Sequence, residues 1–147
     1  MSANVDEVRT GSCLCEKNKF TVKGNPLFYV LCHCSNCKRS TGSAFMANVV
    51  FEDENVDLTN AKHLGAYSDS GTKSGSTIIR HFCTNCGSTM FVRPDKNKLA
   101  GAWIIPAPLI DKFEAWTPEK EVFPESKCAF VKALETSAPK PVDQYDW

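Results

Sequence analysis

Seven of the eight cysteines in this 147-residue chain fall into three short groups: Cys13-Leu14-Cys15, Cys32-His33-Cys34-Ser35-Asn36-Cys37 and Cys83-Thr84-Asn85-Cys86-Gly87. In a C-x-x-C pair a tight turn brings two thiolates onto one ion, and in C-x-C on an extended chain both side chains leave the same face. Zinc suits such donors, because it takes thiolates at about 2.3 Å in a tetrahedron and has no redox chemistry of its own. Ordinary burial does not produce three spaced clusters, disulfides fit a reducing compartment badly, and the spacing matches no iron–sulfur run. Cys128 stands apart beside Ala129 and Phe130 and reads as a small core residue.

Seven thiolates do not divide into two complete tetrahedra. One site is therefore expected to have three protein sulfurs and an open fourth position, the form of a catalytic zinc. His33 could fill that position, but on an extended segment it points away from Cys32 and Cys34 and reads better as a supporting or core histidine. Spacing leaves two partitions open. The likeness of Cys34-Ser-Asn-Cys37 to Cys83-Thr-Asn-Cys86 suggests one site from those two turns. Chain entropy leans towards the other partition: Cys32, Cys34 and Cys37 share an ion locally, while Cys13 and Cys15 join Cys83 and Cys86 and staple a long loop.

The elements that must position these groups are mostly strands. Runs rich in β-branched and aromatic residues recur at Lys19–Lys23, Leu27–Leu31, Ala44–Phe51, Thr77–Phe82, Thr89–Arg93 and Leu99–Ile105. Between them lie Gly24-Asn25-Pro26, Ser68–Ser76, Pro94-Asp95 and Pro106-Ala107-Pro108. Helix signals are confined to Ser35–Thr41 and to an apolar pattern over Ser126–Glu135, while residues 136–147, with Tyr145 and Trp147, read as an extended tail. The expectation is a mostly-β single domain spanning 1–147, its core at about 9–135, with short helical segments.

Composition narrows the function. Seventeen basic and seventeen acidic residues give a formal charge of +0, so no long-range field draws a polyanion, and nucleic acid is not an expected partner. No apolar run approaches the roughly 20 residues of a spanning helix. The polar, acidic start, Met1 to Glu7, lacks the basic and apolar parts of a secretory or mitochondrial address, so the expected compartment is the cytoplasm.

Gly11-Ser12-Cys13-Leu14-Cys15, the run from Cys32 through Lys38-Arg39-Ser40-Thr41-Gly42-Ser43 to Phe45, and Phe82-Cys83-Thr84-Asn85-Cys86-Gly87-Ser88 together resemble the glutathione-dependent formaldehyde-activating (Gfa) family, which includes centromere protein V. The resemblance covers roughly residues 9–105. It implies the family's β-tent fold, a structural zinc on Cys13, Cys15, Cys83 and Cys86, and a catalytic zinc on Cys32, Cys34 and Cys37. It implies carbon–sulfur lyase chemistry, in which glutathione adds to formaldehyde to give S-hydroxymethylglutathione. Three thiolates make their zinc a weak Lewis acid, better suited to delivering a thiolate than to polarising a carbonyl. Glutathione is anionic, and Lys38 and Arg39 are the first candidates for its carboxylates, with Gly42 and Ser43 offering backbone N–H groups and Arg80 and Arg93 next in order. The stretch Glu125–Lys132 departs from the family's closing strand.

Two other classes compete. A noncatalytic zinc-stapled interaction module would be marked by loss of the Cys32, Cys34, Cys37 set, which is intact here. A thiol redox enzyme would draw on Cys83 after Arg80-His81-Phe82, but that cysteine already belongs to a chelating pair.

Overall fold

The computed structural model describes residues 4–96 and 99–137. Its strands, in chain order, are β1 (Val8–Ser12), β2 (Lys19–Lys23), β3 (Phe28–Cys32), β4 (Met46–Glu52), β5 (Val56–Asp57), β6 (Leu64–Asp69), β7 (Ile78–Cys83), β8 (Thr89–Pro94), β9 (Ala102–Pro106) and β10 (Lys120–Val122), with one helix, α1 (Ser35–Thr41), between β3 and β4. Strands β1, β2 and β5 make a small antiparallel sheet; the larger runs β10-β3-β4-β9-β8-β7-β6. Within it only β10 is parallel to its neighbour, pairing Lys120 with Val30 and Val122 with Cys32.

Alternation along β4 explains why the large sheet is buried on both faces. Met46 and Val50 join Val30, Val92, Ile104 and Val122 in one apolar cluster. Val49 and Phe51 enter another with Phe20, Leu31, Phe91, Ile105 and Trp116. A strand covered on both sides needs a nearly continuous apolar run, and β4 supplies it from Met46 to Phe51 with one exception, Asn48. Gly11 in β1 permits the small sheet to close on the core, since a Cβ there would stand 2.3 Å from the Phe20 ring and 2.8 Å from the Leu109 carbonyl oxygen.

The mostly-β expectation holds, and α1 spans the predicted residues. The helix expected over Ser126–Glu135 does not form. A single 3-10 turn, Pro124–Ser126, is followed by irregular chain. The Ser126 carbonyl, which a helix would give to the amide four residues on, instead accepts from Lys38 Nζ at 2.7 Å, and Phe130 is exposed. Of the tail expected from residue 136 onward, residues 138–147 lie outside the described residues. No helix among the described residues is long and apolar enough to cross a membrane.

Candidate metal centres and active site

The sulfurs of Cys13, Cys15, Cys83 and Cys86 lie within 4.8 Å of one another. Cys13 and Cys15 follow β1, and Cys83 ends β7, so the group joins the small sheet to the large one. Sulfur separations of 3.6 Å (Cys13–Cys15) and 3.7 Å (Cys15–Cys83) match the edge of about 3.8 Å that a tetrahedron with bonds of about 2.3 Å requires. Local amides support the sulfurs: Asn85 and Cys86 N–H groups each donate to Cys83 Sγ at 3.4 Å, and the Asn18 N–H donates to Cys13 Sγ at 3.4 Å. Gly87, at φ +76°, turns the chain out of the knuckle. A hydrogen bond with Ser88 holds the Cys86 thiol down at about 5. Asn18, fully buried, clamps the neighbouring loop by donating to the His63 carbonyl and accepting from its amide.

Cys32, Cys34 and Cys37 form the second group within the same limit, all three buried. Cys32 ends β3, Cys34 is the N-cap of α1 and its Sγ accepts from the Cys37 N–H at 3.3 Å. Hydrogen bonds from the Cys32 and Cys37 thiols, then the Cys37 amide and the Arg80 charge, push the Cys34 thiol far down. Cys32 moves up, because its proton is shared with Cys34 and Cys37 and its site is buried. Either group could hold a metal ion. Three sulfurs here and four in the first group suit zinc as an open and a closed site.

The three cysteines line a small chamber of about 60 Å³ with Met46, Asn48, Ile78, Arg80, Val92, Ile104 and Phe123. Thr72, Lys73 and Ser74 cross one side of it. Lys73 fastens that segment by an ion pair with Glu125 at 2.6 Å and a hydrogen bond to Ser126 Oγ at 2.7 Å. Beside the chamber lies a wider cleft of about 460 Å³ lined by Asn36, Arg39, Tyr67, His81, Phe82 and Thr89 among others, and Arg80 lines both spaces.

Residues that sequence reasoning passed over organise this region. Asp69 accepts both from Arg80 Nε at 2.7 Å and from Asn36 Nδ2 at 2.9 Å, tying β6 and β7 to the helix that carries Cys37. The signal was weak, since Asn36 sits inside the Cys34–Cys37 turn but its partner is 33 positions away. His33 is fully buried, outside both sulfur groups, and bonds to Glu121 Oε1 at 2.8 Å; Lys127 pairs with the same oxygen. Of the residues suggested for a carboxylate, Arg39 lines the wide cleft, whereas Lys38 Nζ is engaged with Ser126 O and lies 4.0 Å from Cys128 Sγ. The Gly42 and Ser43 amides both donate to the Lys38 carbonyl, closing the helix. Arg93 pairs with Asp53 at 2.6 Å and stacks on Trp103. Cys128 is half-buried and belongs to neither sulfur group.

The family model for the glutathione-dependent formaldehyde-activating enzyme matches residues 8–126, and the chain belongs to that family. A Halomonas elongata protein, provisionally named a glutathione-dependent formaldehyde-activating enzyme, is 30% identical over 84 residues, which are 56% of this chain and 54% of that protein. The chain thus matches about half the length of that curated relative. A crystal structure of a Rhodobacter sphaeroides protein superposes with a TM-score of 0.57 at 16% identity, covering 77% of this chain and 99% of that one, and so shares the fold.

Proposed function

We propose that this protein is a zinc-dependent carbon–sulfur lyase that makes and breaks the adduct between a small thiol, glutathione foremost, and a small aldehyde such as formaldehyde. The observation that carries the reading is the convergence of the Cys32, Cys34 and Cys37 sulfurs, three and not four, on the wall of a chamber large enough for little more than a small electrophile. Zinc bound there would keep a fourth position for an external thiol and stabilise it as the thiolate near neutral pH.

The chain's own residues have separable roles in this reading. Cys13, Cys15, Cys83 and Cys86 hold a second zinc that fastens the two sheets. Arg80 offsets part of the negative charge of the three thiolates, as its effect on Cys34 indicates. Arg39, on the cleft that meets the chamber at Arg80, receives a carboxylate of the anionic thiol. Apolar walls from Met46, Val92, Ile104 and Phe123 exclude water from the reacting carbon. The family match supports the thiol and aldehyde class.

The test is metal analysis of the purified protein followed by glutathione titration and NMR exchange with ¹³C-formaldehyde. Two zinc ions per chain and protein-dependent interconversion of free and adduct formaldehyde are expected. One tightly held zinc with no thiol binding would instead make the protein a zinc-stapled interaction module.

A further inference from the structure

Asn48 is a polar residue in the middle of the apolar face of β4, between Met46 and Val50. It pairs in register with Val30 on one side and Pro106 on the other, and this register fixes the face on which its side chain lies. It is 4% exposed and lines the same chamber as the three cysteines, yet its Oδ1 has no hydrogen-bond partner among the described residues. Arg80 is 8% exposed and lines that chamber too. Its Nε is committed to Asp69 and the Cys37 sulfur lies close to the guanidinium, while its Nη1 is buried without a hydrogen-bond partner among the described residues. A buried polar group left unpaired loses the hydrogen bonds it had with water, so two of them in one small space call for an occupant that satisfies both.

One orphan is a donor and the other an acceptor. A guanidinium nitrogen can only donate and an amide oxygen can only accept, whereas a hydroxyl group does both. We propose that Arg80 Nη1 donates to the carbonyl oxygen of the electrophile, and that Arg80 Nη1 and Asn48 Oδ1 together recognise the hydroxyl of the 1-hydroxyalkyl thioether it becomes. This inference rests on the thiol-adduct reading and assigns the part of the site that meets the aldehyde. In the forward direction the thiolate sulfur gives an electron pair to the carbonyl carbon, forming the C–S bond. The C=O π pair moves to oxygen, where Arg80 donates to the developing negative charge. The oxygen then takes from solvent one proton, equal to the one the thiol released on ionising, so nothing is oxidised or reduced. The new O–H donates to Asn48. The reverse step returns the pair to the carbonyl and releases the thiolate.

Space sets the substrate class further. About 60 Å³ is less than half of the roughly 150 Å³ of an apolar cavity that takes up benzene, which points to an electrophile of very few atoms. A one-carbon aldehyde fits beside the sulfur, and each added methylene presses on Met46, Ile104 or Phe123.

The test uses the zinc-loaded full chain and its variants Asn48→Leu and Asn48→Ala. Zinc content, glutathione affinity by calorimetry, thermal melting without thiol, and ¹³C-formaldehyde exchange are measured on each. Asn48→Leu should keep zinc and glutathione affinity within twofold of wild type and melt at the same or a higher temperature, because an orphaned buried oxygen is replaced by an apolar group of similar size. It should slow adduct exchange at least tenfold. Asn48→Ala should slow formaldehyde exchange likewise and raise the ratio of acetaldehyde to formaldehyde rate at least threefold. Exchange in both variants within twofold of wild type would overturn the proposal while leaving the lyase reading intact. Loss of folding in both would make Asn48 a structural residue and overturn it as well. A wild type that binds glutathione but exchanges no formaldehyde would overturn the lyase reading and this inference together.

Discussion

Replacing Asp69 by alanine is expected to be among the most damaging single changes outside the cysteines. Asp69 and Arg80 are both buried, 2.7 Å apart, and Asn36 spends its amide on the same carboxylate. The substitution takes away the carboxylate that pairs with the buried Arg80 charge and leaves it only the cysteine sulfurs, a loss of about 3–5 kcal/mol in comparable settings. At about 2–4 °C per kcal/mol for a chain of this size, melting should fall by about 6–20 °C. Burial raises the Asp69 carboxyl, but hydrogen bonds from Arg80 and Asn36 outweigh it and hold the group below its usual range. A group lowered in the folded state contributes stability that is fully present above its unfolded value of about 3.9 and is lost as pH falls through the folded value. The gap between wild type and Asp69→Ala should therefore be constant near neutrality and close below about pH 4. Thermal melts of both zinc-loaded proteins across pH 3–8 give the answer. A loss below about 1 kcal/mol at neutral pH would show that the pair behaves like a solvated surface contact, and the reasoning fails.

Cys13→Ala and Cys86→Ala are expected to unfold or aggregate the protein, whereas Cys34→Ala should remain folded, lack the zinc of the three-sulfur site and be inactive; equal loss of stability in melts of both sets would contradict that division. Cys128→Ser should leave zinc content unchanged by metal analysis, since its sulfur lies outside both groups. Arg39→Ala should weaken glutathione binding by about 1–3 kcal/mol and flatten its salt dependence, checked by calorimetry at two salt concentrations; unchanged affinity would move the carboxylate site off Arg39. Gly11→Ala should cost about 1–3 kcal/mol in denaturant titrations, because the backbone oxygen 2.8 Å from the new Cβ cannot turn aside as a flexible side chain could.

The two sulfur groups were readable because metal ligands cluster in sequence and chelating spacing has few other causes. The long apolar strands were readable for a similar reason: β4 and β8 are buried on both sides and must be written in Val, Phe and Met. Strands that escaped notice carry weaker signals. β6, Leu64-Gly-Ala-Tyr-Ser-Asp, lies at the sheet edge with Tyr67 exposed, and β10 has three residues, two of them charged. The way the polar groups around the chamber meet was illegible in the sequence, where Arg80 is named only as a later candidate for a carboxylate. Asn48, Asp69 and Arg80 come from three different strands, and a lone Asn or Arg in a strand does not declare which distant side chain will meet it. The apolar pattern at 126–135 misled because a competing hydrogen bond from Lys38, 88 positions away, took the carbonyl a helix needs.

The two sulfur groups also differ in when they can exist. Cys32, Cys34 and Cys37 leave the ribosome together, whereas Cys13 and Cys15 must wait for Cys83 and Cys86. At about 5–20 residues per second, the interval of about 50 residues after Cys37 lasts roughly 3 to 10 s. On the proposed two-zinc reading, the three-sulfur site is therefore the first place a zinc ion can settle during synthesis, and the four-sulfur site fills only when β7 arrives to join the sheets. Chains stalled before and after Cys83 should accordingly carry different amounts of zinc, the shorter holding it loosely enough to surrender it to a chelator.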